Sequence, residues 1–359
     1  MSLRMSKSDK NLLTKRFYEV KEEIDVNPET KNLNDHVLLV DGFNTFIRSF
    51  SVNPSLNEDG AHVGGLVGFL KSIRYTINKF KPTRCIIVFD GKGGSNRRKS
   101  YYKEYKEGRT GLTKINRLAG YEDLEDQQQS MRKQFARLIE YLQVLPVSLT
   151  YIDYVEADDI IAYLANHYFK KEVTIISSDK DFLQLVNPRI KVWAPTKKKM
   201  YDEALVKEEY GVIPQNLIWY RVITGDKSDN IEGVRGIGEK TIHSKMDFLN
   251  DSELDMDEFL LKVTSECDSK LSQKLIENTT TIQTNYRLMQ LKEPEISSSI
   301  TSNVRNIMDD HRPSLDLVEF KKMFMYDKLY TAFANVDSWL RNSFTSLENN
   351  LKNHFDISK

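Results

Sequence analysis

Residues 36–42 read "HVLLVDG": four consecutive apolar side chains, two of them β-branched, closed by an aspartate and a glycine. A run this short, apolar at both alternating positions, predicts a strand buried on both faces, as in a parallel sheet. "CIIVFDG" at 85–91 and "VTIISSDKD" at 173–181 repeat the pattern. Each run ends in acid: Asp41, Asp90, and Asp179 with Asp181. Between the second and third, Met131, Phe135, Leu138, Ile139 and Leu142 recur at helical spacing, which predicts an amphipathic helix over 127–145. "IKVWAPTKKKMYD", residues 190–202, reads as a strand pair around a basic turn. The expected fold class is α/β, a mostly parallel central sheet flanked by helices.

The organisation along the chain follows from texture. Residues 1–35 are polar with weak periodicity and are expected to form a flexible or loosely docked arm. Residues 36–211 hold the strand signals. From 212 to 285 the pattern is helices separated by polar and glycine-rich turns, and 286–359 reads as a helical C-terminal region. The 359 residues carry 52 basic and 52 acidic side chains, so net charge says nothing about partners and arrangement must. No apolar run approaches the ~20 residues a membrane span needs. With only Cys85 and Cys267, no disulfide framework is implied, and a cytoplasmic location is expected. The six histidines show no zinc-ligand spacing.

In open parallel sheets, ligands gather beyond the carboxyl ends of the strands. Asp41, Asp90, Asp179 and Asp181 therefore converge on one region. "VEADDIIAYL" (155–164) adds Glu156, Asp158 and Asp159 at a helix start, and "GDKSDN" (225–230) adds Asp226 and Asp229. Aspartate suits turns and helix starts without any further role, and each position alone has that plain explanation. Nine together do not. Two carboxylates about 4 Å apart repel by roughly 4 kcal/mol at an effective dielectric of 20, so such a set needs cations. With no histidine or cysteine in it, hard ions are favoured: two Mg²⁺, with Mn²⁺ as a substitute. A pair of such ions suits in-line displacement at phosphorus.

The positive counterpart is "GKGGSNRRKSYYKEYKEGR", residues 91–109. Arg97, Arg98, Lys99, Lys106 and Arg109 are interleaved with tyrosines, among them Tyr105. Such a stretch can be a solvated face; beside an acidic metal site it reads as a clamp in which cations track phosphates and rings stack bases. "GVRGIGEKT" (233–241) nearly imitates a P-loop, but Glu239 stands where lysine is required and no apolar strand precedes it. Gly236 and Gly238 are instead read as permitting a tight hairpin that offers backbone N–H groups to a DNA phosphate. A plain interhelical turn is the other reading.

Taken in order, "LLVDGFN", "IIVFDGKGG", "YKEYKEGR", "VEADD", "IISSDKDFLQL" and "GDKSDNIEGVRGIG" resemble the successive motifs of the flap endonuclease and 5′–3′ exonuclease family, over roughly residues 36–245. That family includes the 5′-nuclease domain of bacterial DNA polymerase I and phage 5′-nucleases. "WAPTKKKMYD" and the C-terminal helices are most similar to the RNase H of T-even bacteriophages. The resemblance implies a PIN-like core, a helical arch at about 97–135, and a helix-hairpin-helix region at 212–285. It implies that the nine carboxylates are metal ligands, with Asp41, Asp90, Asp179 and Asp181 counted as catalytic. Lys106 and Arg109 would act at the scissile phosphate, Arg48 would contact a phosphate, and Tyr105 would stack a base. Substrates would be DNA and RNA–DNA hybrids with 5′ single-strand ends or flaps, and a single-stranded-DNA-binding or other replication protein a possible partner. A monomer is expected, with no membrane. A PIN-type ribonuclease and a catalytically silent junction-binding scaffold are the competing readings.

Overall fold

The computed structural model describes residues 32–108, 114–116, 118–333 and 335–357. The arm up to residue 31, residues 109–113 with Arg109, and residue 117 lie outside them.

Six strands form one sheet in the order β3-β2-β1-β4-β5-β6. β1 (His36–Asp41) is central, parallel to β2 (Arg84–Asp90) on one side and β4 (Glu172–Ile176) on the other. β3 (Ser148–Ile152) is the outer strand beside β2, and β5 (Ile190–Ala194) follows β4. β6 (Lys199–Tyr201) pairs antiparallel with β5, the strand pair expected around the basic turn.

Both faces of the sheet are covered, which is why the strands read as unbroken apolar runs. Side chains alternate across a strand. Val37 and Leu39 enter one buried cluster, with Ile86, Val88 and Ile175; Leu38 and Val40 enter the other, with Ile87 and Ile176. Asp41 and Asp90 continue the first parity, so both belong to the face covered by helix α5 (Ala157–Tyr163). Helices α1 (Gly42–Val52), α2 (Gly64–Phe80) and α4 (Leu124–Gln143) cover the second face; the short α3 (Asn96–Tyr101) precedes α4.

The expected helix over 127–145 is α4, which starts three residues earlier because Asp123 caps it, accepting from the Asp126 N–H at 2.8 Å. Its Gln134 is buried and accepts from the Gly65 N–H at 2.8 Å, so the later part of the expected arch segment is docked on the core. Past residue 211, the helix Leu217–Thr224 puts Trp219, Val222 and Ile223 into the same buried cluster as Val37 and Leu39. The C-terminal helices Leu317–Tyr326 and Val336–Ile357 pack on the other face, with the Phe320 ring 4.9 Å from Tyr141. No described helix is long and apolar enough to cross a membrane.

Candidate metal and phosphate site

β1, β2 and β4 run parallel, so their acidic ends come out on one side. The glycine after β2 is required there: a Cβ on Gly91 would lie 1.9 Å from the Ile152 carbonyl oxygen. Asp41 is buried; it caps α1 by accepting from the Asn44 N–H at 3.1 Å, and accepts from Ser177 Oγ at 2.9 Å. Asp90 accepts from the Ala157 N–H at 2.7 Å, so the end of β2 pins the start of α5. Asp179 accepts from the Asp181 N–H at 2.9 Å and caps a 3₁₀ turn at Lys180–Leu185.

The electrostatics divide the nine carboxylates. Burial pushes Asp41 up to about 7, and repulsion from Asp179 and Asp90 adds to it. Burial, then Asp179 and Asp41, raise Asp158 well above its ordinary range. Asp181 is likewise pushed up to about 7 by burial and by Asp179, even though Arg221 Nε donates to it at 2.7 Å. These groups share one under-compensated negative field. Desolvation and like charge both disfavour their ionised forms.

Glu156 and Asp159 are different. Arg98 lies beneath them with 3% of its surface exposed, donating to Glu156 at 2.6 Å and to Asp159 through both terminal nitrogens at 2.9 Å. Lys106 Nζ (3.0 Å) and the Tyr105 hydroxyl (3.1 Å) also donate to Glu156, and Arg97 to Asp159 at 2.8 Å. Burial alone would raise Glu156, but Arg98 and Lys106 outweigh it and hold it below its ordinary value.

Two expectations are corrected here. Arg98 is no DNA contact, since its guanidinium is buried against Glu156, Asp159 and the Leu288 carbonyl. Tyr105 is no stacking platform, since its ring is buried in the core cluster. Buried cations in "NRRKSYYKEY" are indistinguishable by composition from surface ones, and only the fold separates Arg98 from the exposed Lys99. Glu156 and Asp159, read as metal ligands, already have their oxygens engaged by these cations.

Arg221 was not singled out from sequence. It sits in the apolar helix Leu217–Thr224, "LIWYRVIT", and its guanidinium bridges Asp181 and Asp226. A lone cation four residues before "GD" on an apolar helix is the signal that marks it. Asp226 also accepts from the Ser228 N–H and Oγ, both at 2.7 Å. Asp229 passes its backbone carbonyl to the Lys106 N–H at 2.9 Å, tying "GDKSDN" to the basic stretch. Lys106 has φ +54; burial would lower its pKa, but Glu156, Asp158 and Asp229 raise it, so the ammonium stays charged. Arg48 is half-buried and donates to Ser72 Oγ at 3.2 Å.

Of the hairpin glycines, only Gly236 has a left-handed backbone, φ +76. Gly238 is extended (φ −131, ψ −175), and a Cβ there would meet nothing within 4 Å. The tight-turn requirement therefore applies to Gly236 and not to Gly238. Val234 and Ile237 are buried and anchor the hairpin.

Among the described residues, no three acidic, histidine or cysteine side chains are grouped as a ready-made metal set. The all-oxygen donor chemistry fits a hard divalent cation nonetheless. Asp41, Asp158 and Asp181 are carboxyls that burial and the neighbouring Asp179 push up, Asp181 despite its ion pair with Arg221, and a cation would relieve all three.

Residues 36–211 match the family described as 5′-3′ exonuclease, N-terminal resolvase-like domain. A 5′-3′ exonuclease of Aquifex aeolicus is 31% identical over 208 residues, 56% of this chain and 66% of that protein. DNA polymerase I of Bacillus subtilis is 33% identical over 250 residues, 67% of this chain but 26% of the polymerase. The chain thus spans just under two thirds of the first relative and about a quarter of the second. Among solved structures, a bacteriophage T5 flap endonuclease, as a pseudo-enzyme-product complex with DNA and metal ions, aligns with a TM-score of 0.56 at 20% identity. It covers 82% of this chain and 99% of that one, a likeness of fold. Residues 36–211 of this chain belong to the 5′–3′ exonuclease N-terminal resolvase-like domain family.

Proposed function

We propose that this protein is a divalent-metal-dependent, structure-specific 5′ nuclease that hydrolyses phosphodiesters near single-strand/duplex junctions, working 5′ to 3′. The observation that carries the reading is the set Asp41, Asp158 and Asp181 around Asp179, beyond the carboxyl ends of the central strands, each pushed up by desolvation and by repulsion that involves Asp179. Such a set is costly to the fold unless it binds cations.

Asp41, Asp158, Asp179 and Asp181 would hold the ions, with Asp90 and Asp226 alongside and Glu156, Asp159 and Asp229 supporting from behind. Two bound Mg²⁺ ions would supply a hydroxide nucleophile and charge stabilisation at the leaving oxygen. The chain's own residues do the rest. Arg98 fixes Glu156 and Asp159, and through them the first turn of α5. Asp90 pins that same turn from the sheet. Lys106 carries a charged ammonium into the site and can exchange Glu156 for a phosphate oxygen, with Arg109 as its companion. Arg48, Lys99 and Arg97 are assigned to backbone phosphates, and the Gly236 hairpin to the duplex arm. The basic stretch and the following segment to 135 would take the place of an arch for a 5′ single strand.

Substrates are DNA flaps and RNA–DNA hybrids. Primer removal is proposed among them on the sequence resemblance alone. The protein would act as a monomer beside a replication partner such as a single-stranded-DNA-binding protein. Cleavage of a 5′-labelled flap, with and without Mg²⁺ or Mn²⁺, tests the reading. Cutting near the junction that stops with excess chelator supports it. Cutting of unstructured RNA alone would favour a PIN-type ribonuclease, and junction binding without cutting a silent scaffold.

A further inference from the structure

A groove of about 620 Å³ lies between helices α1 and α2 and the turn that joins β5 to β6. Arg48, Lys71, Lys198, Tyr75, Trp193 and Thr196 are among its lining residues, and no described lining residue is acidic. The turn is the basic "PTKKK" (195–199) of the strand pair. Its Lys197 and Lys199 pair with Glu209, while Lys198 lines the groove. Thr196 links the groove to the carboxylates: its Oγ1 lies 2.6 Å from Ser178 Oγ, and Ser178 precedes Asp179. Thr196 and Asp179 also line one smaller cavity of about 160 Å³. The groove and the Lys106 stretch belong to opposite faces of the sheet. Trp193 enters the buried cluster of Leu38 and Val40, and Tyr105 that of Val37 and Leu39. The acidic strand ends thus stand between two basic features.

The cations of the groove differ from those described above. Arg98, Lys106 and Arg221 each face a protein carboxylate at 3.0 Å or less. Arg48 donates to Ser72 Oγ at 3.2 Å, and its buried Nε has no partner among the described residues. Ser72 follows Lys71, so that bond brings guanidinium and ammonium to the same stretch of wall. Partial burial lowers the pKa of both, and no carboxylate opposes it. Two cations drawn partly out of water without a counterion favour an anion from outside. Tyr75, 51% exposed, lies one helical turn beyond Lys71 and meets Trp193 at 6.3 Å. These rings give an apolar floor, suited to the sugar that a phosphodiester carries and inorganic phosphate lacks. A strand held at Lys106 meets the carboxylates from the α5 face. In a duplex its complement presents phosphates from the other side, toward α1 and α2.

We propose that this groove holds the backbone of the continuous strand, the one left unbroken opposite the flap, with Arg48 and Lys71 on a phosphate and Tyr75 against its sugar. The inference rests on the nuclease reading for its ligand and deepens it: the phosphate given to Arg48 is placed on one strand, and Lys71 and Tyr75 join it there. Holding both strands across the carboxylates makes cutting depend on a junction and not on a single strand alone.

The test is a charge scan along both strands. Flap substrates carry one uncharged methylphosphonate at successive positions. Binding without divalent metal, and cleavage in Mg²⁺, are measured for the unaltered protein, Lys71→Gln and Lys99→Gln. At one or two neighbouring positions of the continuous strand, the lost charge should weaken binding roughly 2- to 10-fold, between the worth of an exposed ion pair and of a charged hydrogen bond. Lys71→Gln should bind the fully charged flap more weakly by a similar factor, with a salt slope smaller by about one. The neutral linkage should then cost it almost nothing, whereas Lys99→Gln should keep the penalty. Unchanged thermal melting of both variants confirms that a surface charge was altered and not the fold. If the protein binds and cuts flaps but Lys71→Gln shows the unaltered penalty at every position, the groove proposal falls and the nuclease reading stands. A Lys71-dependent position found in the flap strand overturns it equally. If the folded protein binds junctions but cuts none with Mg²⁺ or Mn²⁺, the nuclease reading falls, and the binding scan decides the groove by itself. No binding to any junction sinks both.

Discussion

Arg98 and Glu156 face each other at 2.6 Å, both almost fully buried, and the same guanidinium also holds Asp159. Breaking one side of a buried pair costs about 3–5 kcal/mol, because the partner charge is left unpaired. Arg98→Ala should therefore lower the melting temperature sharply and, wherever the fold survives, reduce cleavage through a displaced α5. Thermal denaturation with a metal titration checks it. An Arg98→Ala protein with normal melting and only a shallower salt dependence of DNA binding would restore Arg98 as a phosphate contact.

That pair also shows what the sequence made legible. The strands, their order of acidic ends and the helix at 155–164 follow from local patterns: apolar runs on both parities, a carboxylate at each strand end, a 3.6-residue stripe. Side-chain destinations do not. Arg97, Arg98 and Lys99 are adjacent and chemically alike, yet Arg98 is interred, Arg97 bridges Asp159 and Glu295, and Lys99 is exposed. Glu295 is nearly two hundred residues away, a contact no window of sequence contains. Arg221 was overlooked for a similar reason, since its meaning depends on Asp181, forty residues earlier and brought near only by the sheet.

Lys106 separates chemistry from binding. Its ammonium is held charged and donates to Glu156, within the field of Asp158 and Asp229. Lys106→Ala should lower kcat by roughly 10²–10³, the loss seen when one charge-stabilising donor is removed from a reaction centre. Binding of a flap in the absence of cleavage should change far less. The reverse pattern in single-turnover and binding measurements would make Lys106 a clamp only.

Asp179→Asn with Asp181→Asn removes two anions from the centre of the negative field and leaves Arg221 with Asp226 alone. Cleavage should fall by orders of magnitude, while affinity for a junction is kept or rises as repulsion of DNA drops. Near-normal turnover in a quantitative flap assay would reduce both aspartates to turn and cap residues.

The same field predicts a pH dependence of stability without metal. Asp41 and Asp181 stand at about 7 in the fold, against an ordinary value of 3.8. Between those values the folded chain holds protons that the unfolded chain has released, so stability falls as pH rises. The contribution is complete below about pH 4 and gone once pH passes about 7. Chelator-treated protein should melt lower at pH 8 than at pH 6, and the gain in melting temperature on adding Mg²⁺ should be larger at pH 8. Equal gains at both pH values would show that these carboxylates are not where the ion binds.

The hairpin glycines should respond differently to the same substitution. Gly236 has φ +76, a conformation that a β-branched side chain adopts only at a cost of roughly 1–2 kcal/mol, and its Cβ would come within 2.8 Å of Lys274 Nζ. Gly238 is extended, with open space where a Cβ would stand. Gly236→Val should therefore lose stability by about that amount, and Gly238→Val should melt as the unaltered protein does. Both should bind duplex-armed substrates more weakly, because a branched side chain at either position keeps a phosphate away from the backbone N–H groups. Short single strands, which do not reach the hairpin, should bind nearly as before. Gly238→Val is the cleaner probe, since its effect on binding is free of any effect on the turn. Asp226 and Asp229 precede the hairpin, so metal titrations of both variants accompany the binding assays. Equal losses on duplex-armed and single-stranded substrates by Gly238→Val, with metal binding and melting intact, would show that the duplex is anchored elsewhere.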